Sequence, residues 1–224
     1  MAIILNLETA TTNCSVSLGK DGELIAIIET NDEGYSHAEN LHRFILEVVK
    51  EAGLTLSDLD AISVSKGPGS YTGLRIGVSA AKGLCFSLGI PLLAIDTLEI
   101  LAAQMQISDG MIIPMLDARR MEVYTAGFGP DHKRVANTTA EIITGESFTE
   151  PLATTKLYFI GDGAKKCVSV IEHENAIFPE VFTLPSSREM IPLSESLYQS
   201  DSFEDVAYFE PYYLKDFVTT KPKS

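Results

Sequence analysis

Between residues 66 and 77 the chain reads Lys66-Gly67-Pro68-Gly69-Ser70-Tyr71-Thr72-Gly73-Leu74-Arg75-Ile76-Gly77, and no other segment restricts the fold as much. A short apolar run, residues 61–65, precedes it, and a helical pattern over residues 78–88 follows. The spacing predicts a strand, a glycine-rich turn and a helix, with Ser70 or Thr72 as the N-cap. Glycines at such a turn let backbone N–H groups approach a ligand, or let a second element pack closely. Two nucleotide signatures are missing. The segment lacks the Gly-Lys-Ser/Thr ending of a phosphate-binding loop, and its glycines are not spaced as a dinucleotide fingerprint.

Around this turn the chain follows a plan that occurs twice. Residues 3–7 form a continuous apolar strand that ends in an acid, Glu8, and residues 14–18 and 23–28 form a hairpin around Lys20-Asp21-Gly22. Ser36-His37-Ala38-Glu39 reads as a capping box that opens a helix. Leu41, Phe44, Ile45, Val48, Val49 and Ala52 follow i, i+3, i+4 spacing, and Gly53 stops the helix. After the glycine turn and its helix come a strand at 92–95 and a helix capped by Asp96 or Thr97 that runs to Gln106. Residues 111–116 then form an apolar strand ending in Asp117, with strands at 122–128 and 135–144 after it. A strand at 156–160 leads into the turn Gly161-Asp162-Gly163 and a short helix from Ala164. Strand with terminal acid, hairpin, strand, glycine turn and helix thus recur, which predicts an α/β duplication of a three-stranded meander with helices. The break falls between residues 108 and 109, with 1–108 as the N-terminal lobe and 109–224 as a smaller, degenerate C-terminal lobe. Residues 145–155 read as loop, 172–183 as poorly periodic, 187–199 as a helix and 219–224 as a disordered tail.

The charge balance narrows the function. Acidic residues outnumber Lys and Arg 31 to 17, a formal net charge of −14. Proteins that grip nucleic acid unaided present a basic face to the phosphates, so tight RNA binding by this chain alone is not expected. Lys165-Lys166 and the tail from Lys215 to Lys223 are the only basic clusters, and both read as solvated surface. Cys14, Cys85 and Cys167 are scattered and odd in number, which predicts free thiols in a reducing cytoplasm. Met1-Ala2 runs straight into a strand with no basic stretch before it, so neither a secretory leader nor a membrane span is expected.

Gly67–Gly77, together with Leu5-Asn6-Leu7-Glu8-Thr9-Ala10, Asp117-Ala118-Arg119-Arg120-Met121-Glu122-Val123-Tyr124 and Glu210-Pro211-Tyr212-Tyr213-Leu214-Lys215, resembles the TsaB family over nearly the whole chain. Members of that family are non-catalytic subunits of the bacterial machinery that makes threonylcarbamoyladenosine in tRNA. The resemblance implies a two-lobed, actin-like or sugar-kinase-like ATPase fold, built of duplicated ribonuclease-H-like lobes with mixed sheets flanked by helices. It implies a catalytic paralogue, TsaD, as partner, a TsaE-type ATPase as third member, a homodimer when TsaD is absent, and contact with tRNA only through the complex.

Three groups of residues follow as candidates. On the helix after the glycine turn, Gly73, Gly77 and Ala81 recur at i, i+4, i+8 beside Leu74, Val78, Cys85 and Leu88. Such a strip lets another helix come close; it packs either on the chain's own sheet or on a partner. As a partner surface it would be flanked by Leu41, Phe44, Ile45 and Val48, and two such helices meeting their counterparts would form a four-helix interface. Glu8, Asp117, Gly161, Asp162 and Gly163 sit where a strand end or turn faces the interlobe crevice, and are candidates for weak residual ATP or ADP binding. The resemblance implies that catalytic relatives carry aspartate at the Glu8 position; the added methylene disturbs that geometry. The third group is negative. TsaD proteins carry a His-x-x-x-His metal motif in the segment matching Asp96-Thr97-Leu98-Glu99-Ile100-Leu101, where this chain has Thr97 and Leu101. Leucine cannot bind a metal. His37 and His42 are five apart, and His132 and His173 have no neighbour at ligand spacing. No metal, required cofactor or catalytic residue is therefore expected. The alternatives left by the residues are a stand-alone ATP-dependent transferase using Glu8 and Asp117 and, far below it, a peptidase, for which no nucleophile–base pair stands out in the sequence.

Overall fold

The computed structural model describes residues 2–31, 37–181 and 183–215. The first unit opens with β1 (Ile3–Glu8), β2 (Asn13–Lys20) and β3 (Glu23–Asn31), an antiparallel meander. α1 (His37–Glu51) follows, then β4 (Ala61–Gly67), α2 (Tyr71–Leu88), β5 (Leu92–Asp96) and α3 (Thr97–Ala102). β4 and β5 add in parallel, giving the order β3-β2-β1-β4-β5. The second unit repeats this. β6 (Met111–Asp117), β7 (Glu122–Phe128) and β8 (Arg134–Ile142) form the meander, and β9 (Leu157–Ile160) and β10 (Ala176–Ile177) pair in parallel. Read from its meander edge, the second sheet is β8-β7-β6-β9-β10, strand for strand the order of the first. Two short helices, α4 (Thr149–Leu152) and α5 (Asp162–Lys165), and the longer α6 (Ser187–Gln199) complete the chain.

The first core lies between the sheet and helices α1 and α2, where Leu41, Phe44, Ile45, Val48, Val78 and Ala81 pack on Leu5, Leu7, Val16 and Val64. Alternation on β1, β2 and β4 is replaced by burial of both faces, because helices cover both sides of the sheet. The opposite face is covered by α6: Leu197 and Tyr198 pack on Ala2, Ile4, Ala61 and Leu93, while Met190 joins Ile95 and Ile100. This corrects the expected division at residue 108. The apolar face of α6 has no place on the second sheet and completes the first lobe instead, so the chain crosses back after β10.

Other differences are local. α3 ends at Ala102 rather than Gln106, since the N–H groups of Gln104 and Met105 turn back to carbonyls only three residues earlier. A single helical turn, α4, lies in the expected loop, and β10 is two residues long. The capping-box residue Ser36 and the tail 219–224 lie outside the described residues. Gly53 closes α1 at φ +70, and Ser186 caps α6 by accepting from the Arg188 N–H at 3.2 Å.

Candidate functional site

A cleft with a cavity of ≈ 430 Å3 separates the two meanders. Its first wall is the glycine turn. The Ser70 N–H donates to the Ala10 carbonyl at 2.7 Å, and the Ser70 hydroxyl accepts from Gly73 N–H at 3.3 Å. Ser70 is therefore the cap that starts α2, and Pro68, Tyr71 and Thr72 face the cavity. The second wall is the β6–β7 hairpin with Asp117, Arg119 and Tyr124, backed by Asp162. The third is Tyr212–Lys215 near the chain's end.

Of the two strand-end acids, only one faces this space. Asp117 is half-exposed, accepts from the Arg119 N–H at 2.8 Å, and forms an ion pair with Lys166. The Lys166 ammonium also donates to the Glu122 carbonyl at 2.7 Å, so it is bound to the cleft wall rather than solvated. Asp162 accepts from the Asp117 N–H at 3.1 Å, and burial pushes its carboxyl up from the usual range. Gly161 (φ +91) and Gly163 bring this turn against the Met115 and Leu116 backbone, leaving no room for a Cβ at either. The three residues of the expected turn thus belong to the cleft wall, and α5 already begins at Asp162.

Glu8 departs from expectation. It is fully buried and does not line the cavity. Its longer side chain curls back, and the carboxyl accepts from the Ala10 N–H at 2.5 Å. Burial raises its pKa to about 7, against opposing contributions from the Ala10 and Thr9 N–H groups and the Ser65 hydroxyl. The Glu8–Asp117 pair is therefore not assembled at one site.

The helical strip is also resolved differently. Gly73 and Gly77 face Thr9, whose hydroxyl donates to the Gly73 carbonyl at 2.8 Å; a Cβ at either glycine would collide with Thr9. Leu41, Phe44, Ile45, Val48, Leu74, Val78 and Ala81 are all buried in the chain's own core. These nine residues hold α1 and α2 in place, and a partner cannot reach them. The apolar side chains that these two helices turn outward are Leu46, 61% exposed, and Phe86, 84% exposed. Helical spacing identifies a stripe but not which side of the helix the sheet takes.

Thr97 and Leu101 are both fully buried, and Leu101 packs with Leu98, Ile112 and Phe128. Leu101 itself offers no donor atom. Among the described residues, no three His, Cys, Asp or Glu side chains gather as ligands. His37 is buried with Nε2 2.7 Å from the Thr11 carbonyl, and His132 Nε2 is 2.9 Å from the Met105 carbonyl. No described helix is long and apolar enough to cross a membrane.

Sequence reasoning missed the aromatic and basic lining: Tyr71, Tyr124, Tyr213, Arg119 and Lys215. Lys215, expected in solvent, pairs with Glu122. Arg119 (φ +73) and Arg120 (φ +51) take consecutive left-handed conformations at the hairpin tip, a region that favours Gly and Asn. The turn Arg119-Arg120-Met121 is three residues long, closed by the Ala118 N–H donating to the Glu122 carbonyl at 3.1 Å, and its composition carries none of the usual turn residues.

Comparison with known proteins places these features. The family model described as TsaD: tRNA N6-adenosine threonylcarbamoyltransferase matches residues 31–219. The tRNA threonylcarbamoyladenosine biosynthesis protein TsaB of Escherichia coli (strain K12) is 26% identical over 225 residues, covering 97% of this chain and 96% of that protein. The TsaB protein of Buchnera aphidicola subsp. Schizaphis graminum is 30% identical over 198 residues, covering 85% of this chain and 91% of its own length. The solved structure of YeaZ from Pseudomonas aeruginosa superposes with a TM-score of 0.84 at 25% identity, over 96% of this chain and all of that one.

Proposed function

The chain belongs to the TsaD family of tRNA N6-adenosine threonylcarbamoyltransferase proteins, and we propose that within it the chain is a TsaB-type, non-catalytic subunit in threonylcarbamoyladenosine biosynthesis. Its role is to bind and stabilise a catalytic TsaD-type paralogue, with a TsaE-type ATPase as third member, in the cytoplasm. Transfer of threonylcarbamoyl to the adenosine beside the anticodon then takes place on the paralogue, and tRNA reaches this chain through the complex. Without the paralogue the same surface pairs two copies of this chain.

The observation that carries the reading is Leu101. It stands where the catalytic relatives' second metal-binding histidine is expected, and it is fully buried in an apolar cluster. Metal ligation there would need a donor atom and an open coordination position, and leucine provides neither. The inward turn of Glu8 acts in the same direction, because it removes one carboxylate from the cleft. Weak nucleotide binding against Asp117 and Gly161–Gly163 is compatible with this role and is not required for it.

The partner surface in this reading is the outer side of α1 and α2, centred on Leu46 and Phe86. Exposed aromatic and aliphatic side chains of this size are the usual anchors of an interface. Replacing both with aspartate leaves the core untouched. The double variant should keep the unfolding temperature of the native chain but lose at least tenfold in affinity for the purified paralogue, measured by titration calorimetry. Native-like affinity in the folded variant would exclude this surface.

A further inference from the structure

Besides the chain's own crossing after β10, two groups of contacts between the lobes stand out among the described residues. One is buried and apolar: Leu98, Leu101 and Ala102 of α3 pack on Ile112, Phe128 and Ile160 of the second sheet, and none of these residues lines the cleft. An ion pair from Arg134 to Asp96 at 3.0 Å supports it. The other runs over the mouth of the cleft and is of a different kind.

After α6 the chain returns along the first lobe. The Glu204 N–H donates to the Leu92 carbonyl at 2.8 Å, and Val206 and Phe209 rest on the first core. The Lys82 ammonium, on α2, donates to the carbonyls of Ala207 at 3.2 Å and Phe209 at 2.8 Å. The Tyr212 N–H donates to the Lys66 carbonyl at 2.7 Å, directly beside the glycine turn. Next, the Tyr213 ring lies 4.9 Å from that of Tyr71, and its hydroxyl accepts from Arg75 Nε at 3.2 Å. Up to this point every contact is with the first lobe. Lys215 then reaches across the cleft to Glu122, the first residue of β7.

We propose that residues 204–215 form a latch over the interlobe cleft, in which the Lys215–Glu122 ion pair is the contact that releases and α3 is the hinge about which the lobes then part. The two connections differ in the way such a device needs. Burial of α3 gives a connection that holds under all conditions that preserve the fold. A partly exposed ion pair is weak and screened by salt, so it opens without disturbing the core. The strap also runs over α2 through Lys82 and Arg75, so its position is tied to the helix that bounds the cleft on the first lobe.

Hydroxyl-radical footprinting of the full chain, read by mass spectrometry, tests the latch at Pro68 and Tyr71. These side chains line the cleft from the first lobe and lie outside the apolar cluster around α3. Lys215→Glu should raise labelling of Pro68 and Tyr71 roughly two- to fivefold while leaving α1, α6 and the α3 cluster unchanged, since a local opening exposes only the walls it separates. Adding Glu122→Lys to that variant restores an ion pair of reversed polarity and should return labelling to the native level. About 0.5 M salt should move the native chain in the direction of Lys215→Glu. Unchanged labelling of Pro68 and Tyr71 in the single variant, a rise spread over the whole chain, or failure of the charge-swapped variant to recover would each overturn the latch.

Discussion

Glu8 carries the clearest consequence at the scale of a single residue. Its carboxyl is held at about 7 by burial, whereas in the unfolded chain it titrates near 4.5. Below that lower value both states are protonated and burial costs nothing. As the pH rises from about 4.5 to 7 the unfolded chain releases its proton first, so stability falls. Above about 7 both states are ionised and the full cost, roughly 3 kcal/mol, is present. Glu8→Gln keeps the acceptor for the Ala10 N–H and removes the ionisation. The variant should therefore melt well above the native chain at pH 8 and much closer to it at pH 5.5, by calorimetry. An equal difference at both values would mean that Glu8 is ionised in the fold throughout. The position of this residue was legible, since a strand ending in an acid identifies itself. Its direction was not, because one extra methylene lets the carboxyl cap its own turn instead of facing the cleft.

Among the elements, α2 shows what pattern reveals and what it leaves open. Ser70 as cap, the strand before the turn and the helix after it all follow from the sequence, and so do α1, α6 and the seven strands of the two meanders and β4. Their local signals are strong: glycine or serine at the ends, apolar periodicity between. The docking face was misassigned because Gly73 and Gly77 are small for an internal reason, the approach of Thr9, and Ala81 is buried in the first core. Two alanine substitutions separate these roles. Gly73→Ala puts a Cβ into the Thr9 carbonyl and should cost about 1–3 kcal/mol in denaturant unfolding. Gly83→Ala, on the same helix with nothing within 4 Å, should stabilise by up to about 1 kcal/mol. Equal effects would show that the strip is not packed against β1's turn. The weakest elements, α4, α5 and β10, are four, four and two residues long. Signals that short are hard to separate from turn residues: α4 and β10 are not legible in the sequence, and α5 reads there as starting two residues late, at Ala164.

For the whole molecule, duplication was readable because both halves begin with a strand, a terminal acid and a hairpin. The return of α6 and the strap to the first lobe was not, since nothing local says which of two similar sheets an amphipathic helix will cover. That return has a functional side: the first lobe carries the outward-facing Leu46 and Phe86, and the second is left with one long face of short, partial elements. In the proposed reading, a molecule of this form, with Leu101 in an apolar cluster and Glu8 turned inward, presents a surface to a partner that performs the chemistry. The most direct test reconstitutes the reaction from purified components: this chain, the histidine-bearing paralogue from the same genome, the ATPase, threonylcarbamoyl adenylate and tRNA, with modified adenosine measured by mass spectrometry. This chain alone should form none, the paralogue with the ATPase little, and the full set should turn over with the chain bound to the paralogue. Modification by this chain without the paralogue, or undiminished modification when this chain is left out, would contradict a non-catalytic, activating role.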